Sequence, residues 1–428
     1  MDILFHGHIL QEDFTVLKDG YLGIQGEKIC YLGSEKPKEA YKEQRNMSGH
    51  LLMPGLYNVH THNPMVLLRG VGSDLPLHRW LTEEIFPVED KLREEDVSVG
   101  QRLAMMELLA SGVVSFSDMY FYPHVSVQEV LQAGMKANFN TAIVAFDPDV
   151  TYENNADVKR ALHFYDSHQN LPGGRVKIDF GIHGEYTNQT EIVRRHGQEC
   201  KARGAIMHLH LSETQKEHEE CKGRHGKTPA QWFYDLGVFD NPTIAAHCVA
   251  VEKEDIAIFK EKGVCAIHNP SSNMKLASGF LPLSHMLEAD IHLALGTDGA
   301  ASNNNLNFFE EMHLAAVIHK GYSGDPTLLS PKKLLEMASV SGAKAQGREN
   351  SGALKVGNFA DVVAIDLDKP HLMPNHDPLA LLVYSAQGSD VALTMVNGKV
   401  LYEKGEFLTI DAQRVRFDLE KSMGHLFG

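Results

Sequence analysis

Positive charge is in short supply in this chain: 40 Lys plus Arg stand against 56 Asp plus Glu, a formal net charge of −16. That balance excludes the basic surface a phosphate backbone requires, so nucleic acid is not an expected partner. Cysteine is scarce as well. The five present, Cys30, Cys200, Cys221, Cys248 and Cys265, are odd in number, spread out and without paired spacing, which argues against a disulfide framework and for a reducing cytoplasm. No stretch approaches the roughly 18 apolar residues of a membrane span. Met1 to Leu10 carries Asp2, His6 and His8 instead of a basic segment followed by an apolar one. The expectation is a soluble, cytoplasmic protein with no membrane partner. Internal repeats and low-complexity tracts are absent too.

What is there is a long alternation. At 428 residues the chain accommodates one large barrel of roughly 250 residues together with an accessory module. Eight β-rich apolar runs are spaced between amphipathic segments: Leu56 to His62, Val113 to Met119, Thr141 to Phe146, Val176 to His183, Ala205 to Leu211, Thr243 to Cys248, Val264 to His268 and Ile291 to Thr297. Three- and four-residue apolar spacing predicts helices over Glu94 to Ala110, Val127 to Ala137, Glu191 to Ala202, Lys253 to Glu261 and Leu281 to Glu288. Two more follow, Leu306 to His319 and Pro331 to Gln346. This α/β pattern predicts a (β/α)8 TIM-type barrel over residues 56–353, with a doubly wound open sheet as the alternative. Residues 1–55 and 354–428 read differently: up to Phe407 they show short alternating strands, Gly-containing turns and little helix signal. They are expected to form one small β-sandwich from both termini.

Four metal-ligand side chains fall at the carboxyl ends of three separate predicted strands. Residues two apart on a strand share a face, so His60 and His62 can converge on one ion at the end where such barrels place their chemistry. His208 and His210 form a second pair. His210 is assigned to the ion because Glu213 then lies at the mouth, while His208 sits one layer deeper as a packed, hydrogen-bonded residue. Asp298 closes the eighth run, in Gly296-Thr297-Asp298-Gly299. Nitrogen and oxygen donors of this kind suit one divalent ion per subunit, Zn2+ first, with Fe2+ or Mn2+ as alternatives. His247, ending the sixth run, is placed to hydrogen-bond a water there, and Glu213 to move a proton between that water and a substrate.

His60-Thr61-His62, His210-Leu211-Ser212-Glu213, Ala246-His247-Cys248, His268-Asn269-Pro270-Ser271-Ser272-Asn273 and the run Leu295 to Asn304 occur in an order that resembles the amidohydrolase superfamily, and within it the methylthioadenosine/S-adenosylhomocysteine deaminases. The resemblance spans nearly the whole chain. It implies a mononuclear site with His60, His62, His210 and Asp298 as ligands; the fourth run offers no lysine at its mouth to bridge a second ion. It also implies that Trp80, Glu89 and His183 line a nucleoside pocket, Glu89 accepting the ribose hydroxyls. One departure matters. Relatives acting on S-adenosylhomocysteine are expected to hold its carboxylate with arginines after the third strand, where this chain reads Asp147-Pro148-Asp149-Val150-Thr151-Tyr152-Glu153-Asn154-Asn155-Ala156-Asp157-Val158-Lys159-Arg160. Four acids precede the only two bases, which predicts a preference for adenosine or neutral 5′-substituted adenosines.

The expected activity is hydrolytic deamination of an adenine nucleoside to its inosine counterpart and ammonia. Asp298, His247 and Glu213 are the catalytic residues. The partner is a small-molecule nucleoside, and helix-rich faces leave room for a homo-oligomer. Two alternatives stay open: hydrolysis of another amino or chloro heterocycle such as guanine, a pterin or a triazine, and a catalytically silent scaffold.

Overall fold

A computed structural model describes residues 1–169 and 171–428. Four strands come first: β1 (Ile3–Leu10), β2 (Val16–Gln25), β3 (Lys28–Gly33) and β4 (Glu43–Pro54). Next are β5 (Leu56–Thr61), β6 (Val113–Met119), β7 (Lys136–Asn140), β8 (Ala142–Ile143), β9 (Val176–Ile178), β10 (Phe180–Ile182), β11 (Met207–Leu211), β12 (Thr243–His247), β13 (Cys265–His268) and β14 (His292–Leu295). The last four are β15 (Val362–Asp366), β16 (Val391–Val396), β17 (Lys399–Glu403) and β18 (Glu406–Phe407).

The first and last groups join in one eight-stranded sheet of order β18-β17-β16-β15-β4-β1-β2-β3. Its seam is β4, parallel to β1 on one side and antiparallel to β15 on the other. The middle strands form two parallel sheets of order β5-β6-β7-β9 and β14-β13-β12-β11-β10-β8. β5 and β6 are buried along their whole length, as parallel strands covered on both faces are. At the carboxyl ends of β5 and β14 the two sheets meet. There the Asp298 N–H donates to the His60 carbonyl (3.0 Å) and the Thr297 N–H to Asn58 Oδ1 (3.0 Å). Gly204 and Gly263, with φ of 61° and 67°, end the helices Thr190–Arg203 and Lys253–Lys262 and turn the chain into β11 and β13.

The structure differs from the sequence expectation in several elements. The third predicted run begins earlier, as β7, and is broken at Thr141 before β8, while the fourth is broken at Asp179 between β9 and β10. The helix expected over Val127 to Ala137 is Pro123–Ala133. Part of the acidic segment is helical: Ala156–His168 starts on Asn155, whose Oδ1 accepts from the Val158 N–H (3.0 Å). Helices Gln215–His225 and Pro229–Asp235 were not expected. Neither was Ala412–Phe427, which packs on Glu94–Ala110 through the pair Arg102–Asp418 (3.1 Å). Among the described residues no helix is long and apolar enough to cross a membrane.

Candidate metal centre

Strand ends of the two parallel sheets deliver the predicted histidines to one place. One donor atom each from His60, His62 and His210 lies within 4.8 Å of the other two, and the same holds for His60, His247 and Asp298. Asp298 Oδ1 stands 3.3 Å from His60 Nε2 and 3.2 Å from His62 Nε2. Its other oxygen, Oδ2, accepts from the hydroxyls of Ser272 (2.7 Å) and Ser302 (2.9 Å). Gly296 is what lets this strand end come so near. A Cβ there would lie 2.9 Å from both Cβ and the carbonyl oxygen of His60, inside any tolerable contact.

The ring nitrogens reveal what the cluster is built to hold. His62 donates its Nδ1–H to the Met119 carbonyl (2.6 Å), and His210 donates its Nδ1–H to the His183 carbonyl (2.7 Å). In the neutral rings both Nε2 atoms are thereby left as lone pairs, and they face each other at 3.4 Å. His60 Nε2 is fully buried and lacks a hydrogen-bond partner, its 3.3 Å approach to Asp298 being out of line for one. Lone pairs converging on a carboxylate in a buried space fit a divalent cation, and imidazole with carboxylate suits zinc.

Burial would raise the Asp298 pKa, but the adjacent histidines His60 and His62 outweigh it and hold the carboxyl well below its usual range. Burial alone would lower His62. Asp298 more than offsets that and keeps the ring up at about 9. His60 goes the other way, pushed down by burial to about 4.

Around the cluster stand the proton-handling candidates. His247 ends β12, with Nδ1 2.9 Å from Asn273 Oδ1 and Nε2 3.9 Å from Glu213 Oε2. Burial works against its charge, but Glu213 and Asp298 shift its pKa upward on balance. Glu213 follows β11, and burial pushes its carboxyl up. Ser212, His247 and Asp298 all adopt positive φ, at 45°, 70° and 63°. Such conformations cost about 1–3 kcal/mol each outside glycine and gather where a site demands a particular side-chain direction.

The substrate residues expected from sequence divide. His183 lies beside His210, ring centroids 5.1 Å apart, with Nδ1 3.4 Å from Thr187 Oγ1. Glu89 is half-buried and accepts from the Tyr120 hydroxyl (2.7 Å) at the end of β6; burial lifts its pKa to about 7, against the opposing pull of Tyr120 and His62. Trp80 is 4% exposed, and its indole N–H is spent on the Val71 carbonyl at 3.0 Å. No described contact joins it to the cluster. Sequence reasoning did not single out Ser272, Ser302, Asn273, Asn140 or Tyr120. The first three lie inside the motif runs flanking His268 and Asp298, and that proximity was the available signal.

The sequence pattern of the Amidohydrolase family matches residues 51–401. A 5-methylthioadenosine/S-adenosylhomocysteine deaminase of Thermoanaerobacter pseudethanolicus is 39% identical over 419 residues, covering 97% of this chain and 96% of that protein. A 5′-deoxyadenosine deaminase of Methanosarcina acetivorans is 42% identical over 406 residues, covering 95% and 93%. Among solved structures, an adenosine deaminase from Xanthomonas campestris with bound zinc superposes with a TM-score of 0.93 at 31% identity, over 99% of this chain and 98% of that one.

Proposed function

The chain belongs to the amidohydrolase family, and from that premise we propose that it is a metal-dependent aminohydrolase converting an adenine nucleoside to its inosine counterpart and ammonia. The observation that carries this reading is the clustering of ring nitrogens from His60, His62 and His210, with Asp298 beside the first two and Glu213 and His247 alongside. Those four are read as the ligands of one ion, zinc first. The same reading takes residues 56–353 as one (β/α)8 barrel and residues 1–55 with 354–428 as a composite β-sandwich. Its partner is a small molecule, met in the cytoplasm.

The ion's contribution when bound is Lewis acidity, which brings the pKa of a water from 15.7 to roughly 7. Asp298, its Oδ2 anchored by Ser272 and Ser302, takes the proton of the attacking water. His247, held by Asn273, steadies that water for attack on the ring carbon bearing the amino group. Glu213 has the raised pKa a general acid needs, and it protonates the adjacent ring nitrogen. The carbon–nitrogen bond then breaks, and protons relayed from Asp298 or Glu213 leave with ammonia. Glu89 has one oxygen committed to Tyr120, and the other is assigned to the ribose hydroxyls.

The loop after β8 sets the 5′ preference. Ala145 N–H donates to the Thr187 carbonyl (2.9 Å), which brings this loop beside His183. Arg160 is spent on Asp157 and Arg195 on Glu153, while Asp147 and Asp149 are exposed. An amino-acid carboxylate would therefore meet carboxylates rather than a free guanidinium. Ammonia release by the zinc-loaded protein on adenosine, 5′-methylthioadenosine and S-adenosylhomocysteine tests the reading. Release from the first two supports it, and none from any adenine nucleoside overturns it.

A further inference from the structure

We propose that His208 and Asn140 form a hydrogen-bond relay that fixes the tautomer of His60 and keeps its Nε2 bare for the metal; the inference rests on reading His60 as a ligand. His62 and His210 take their tautomers from backbone carbonyls, which only accept. His60 has no such partner. Its Nδ1 lies 2.8 Å from Nε2 of His208, a nitrogen that donates in one tautomer and accepts in the other. Were His208 the donor, His60 would carry its hydrogen on Nε2, pointing into the cluster, and that nitrogen would have no lone pair to offer.

For His208 to accept at Nε2, its proton must sit on Nδ1, and that proton needs an acceptor. The side chain in reach is Asn140, whose amide Nδ2 is 3.1 Å from His208 Nδ1 and makes only a long 3.4 Å bond to the Asp118 carbonyl, while its Oδ1 is buried without a partner. The two ends of an amide exchange places by a half turn about χ2. With Oδ1 turned to His208, the chain of donors runs in one direction: His60 Nδ1–H to His208 Nε2, then His208 Nδ1–H to Asn140 Oδ1. His60 and His208 are fully buried and Asn140 is 1% exposed, so bulk water does not set the tautomer. Ligating histidines are held this way by their outer partners, whose loss typically costs about 10–100-fold in metal affinity. His208 and Asn140 are thus positioning residues, acting on the metal through His60.

The test strips metal from the full-length protein and titrates zinc back against a chromogenic chelator. The variants are Asn140→Leu, which has no acceptor, Asn140→Asp, which keeps one, and His208→Phe. Asn140→Leu and His208→Phe are expected to bind zinc about 10–100-fold more weakly, with Asn140→Asp close to the unsubstituted protein. A purely space-filling role predicts otherwise, and equal losses in Asn140→Asp and Asn140→Leu, or no loss in Asn140→Leu, overturn the relay. Histidine-selective 15N NMR of the metal-free, unsubstituted protein gives a readout independent of any variant's folding. A hydrogen on Nδ1 of His60 is expected, and one on Nε2 overturns the proposal. If the unsubstituted protein takes up no zinc at all, the ligand reading itself has failed, an outcome distinct from unequal variants.

Discussion

At the scale of single residues, the centre sets carboxyl groups of opposite tendency close together. Asp298 is held ionised by histidines, whereas Glu213, one contact away through His247, is pushed by burial toward its protonated form. Environments that drive acids apart assign the base and the acid. Glu213→Gln is expected to lower kcat by about 100- to 10,000-fold while leaving zinc affinity nearly unchanged; steady-state kinetics beside metal titration check it. His62 gives a second prediction. Its pKa in the metal-free cluster, about 9, exceeds its ordinary value, so its contribution to stability is complete below pH 6.5 and lost as pH rises through 9. A cation competes with that proton. Zinc affinity should rise with pH toward 9, and binding at pH 7 should release roughly one proton, read from the buffer dependence of the calorimetric enthalpy.

The same scale shows what a sequence displays and what it hides. His60, His62, His210 and Asp298 stand out because their spacing matches strand geometry at strand ends. Trp80 was expected in the pocket from resemblance alone, and its indole N–H donates to the Val71 carbonyl. Asn140 and Tyr120 carry no pattern of their own. They contact His208 and Glu89, partners distant in sequence, so only the folded chain brings them to notice.

Among the elements, β7 is the instructive miss. Lys136-Ala137-Asn138-Phe139-Asn140 has poor strand propensity, yet all five residues are buried. The polar ones are there to make contacts. Lys136 pairs with Asp361 (2.5 Å), Asn138 donates to Asp179 (2.9 Å), and Asn140 meets His208. Tertiary partners have outweighed propensity, whereas apolar runs such as β6 and β12 were legible at once. The Lys136 pair also ties β7 to the sheet built from the termini. Asp361 accepts from the Tyr57 hydroxyl (2.7 Å) and the Asn397 N–H (3.0 Å) as well. Removing one member of a buried pair strands the other, so Lys136→Met should cost about 3–5 kcal/mol, measured by denaturant unfolding. The candidate ligands and proton-handling residues lie elsewhere, and kcat in the folded protein should be retained.

On the scale of the whole molecule, the candidate ligands come from β5, β11 and the turn after β14, segments separated by most of the chain. A shared ion would cross-link both parallel sheets. Chelation is therefore expected to lower Tm, and zinc in excess to restore it in a concentration-dependent way. Substrate choice belongs here too, because it combines the loop after β8 with a site at the strand ends. We expect kcat/KM for adenosine and 5′-methylthioadenosine to exceed that for S-adenosylhomocysteine; equal or higher efficiency on the last would contradict the acidic-loop argument.

The seam at β4 constrains how the polypeptide can be made. On a translating ribosome β1 is already available to β4, but β15 begins only at Val362. At roughly 5–20 residues per second, the β15-facing edge of β4 waits on the order of tens of seconds with its backbone groups unpaired. Nascent chains halted before Val362 should accordingly be captured by holdase chaperones through the β4 segment, and release of the completed chain should end that capture.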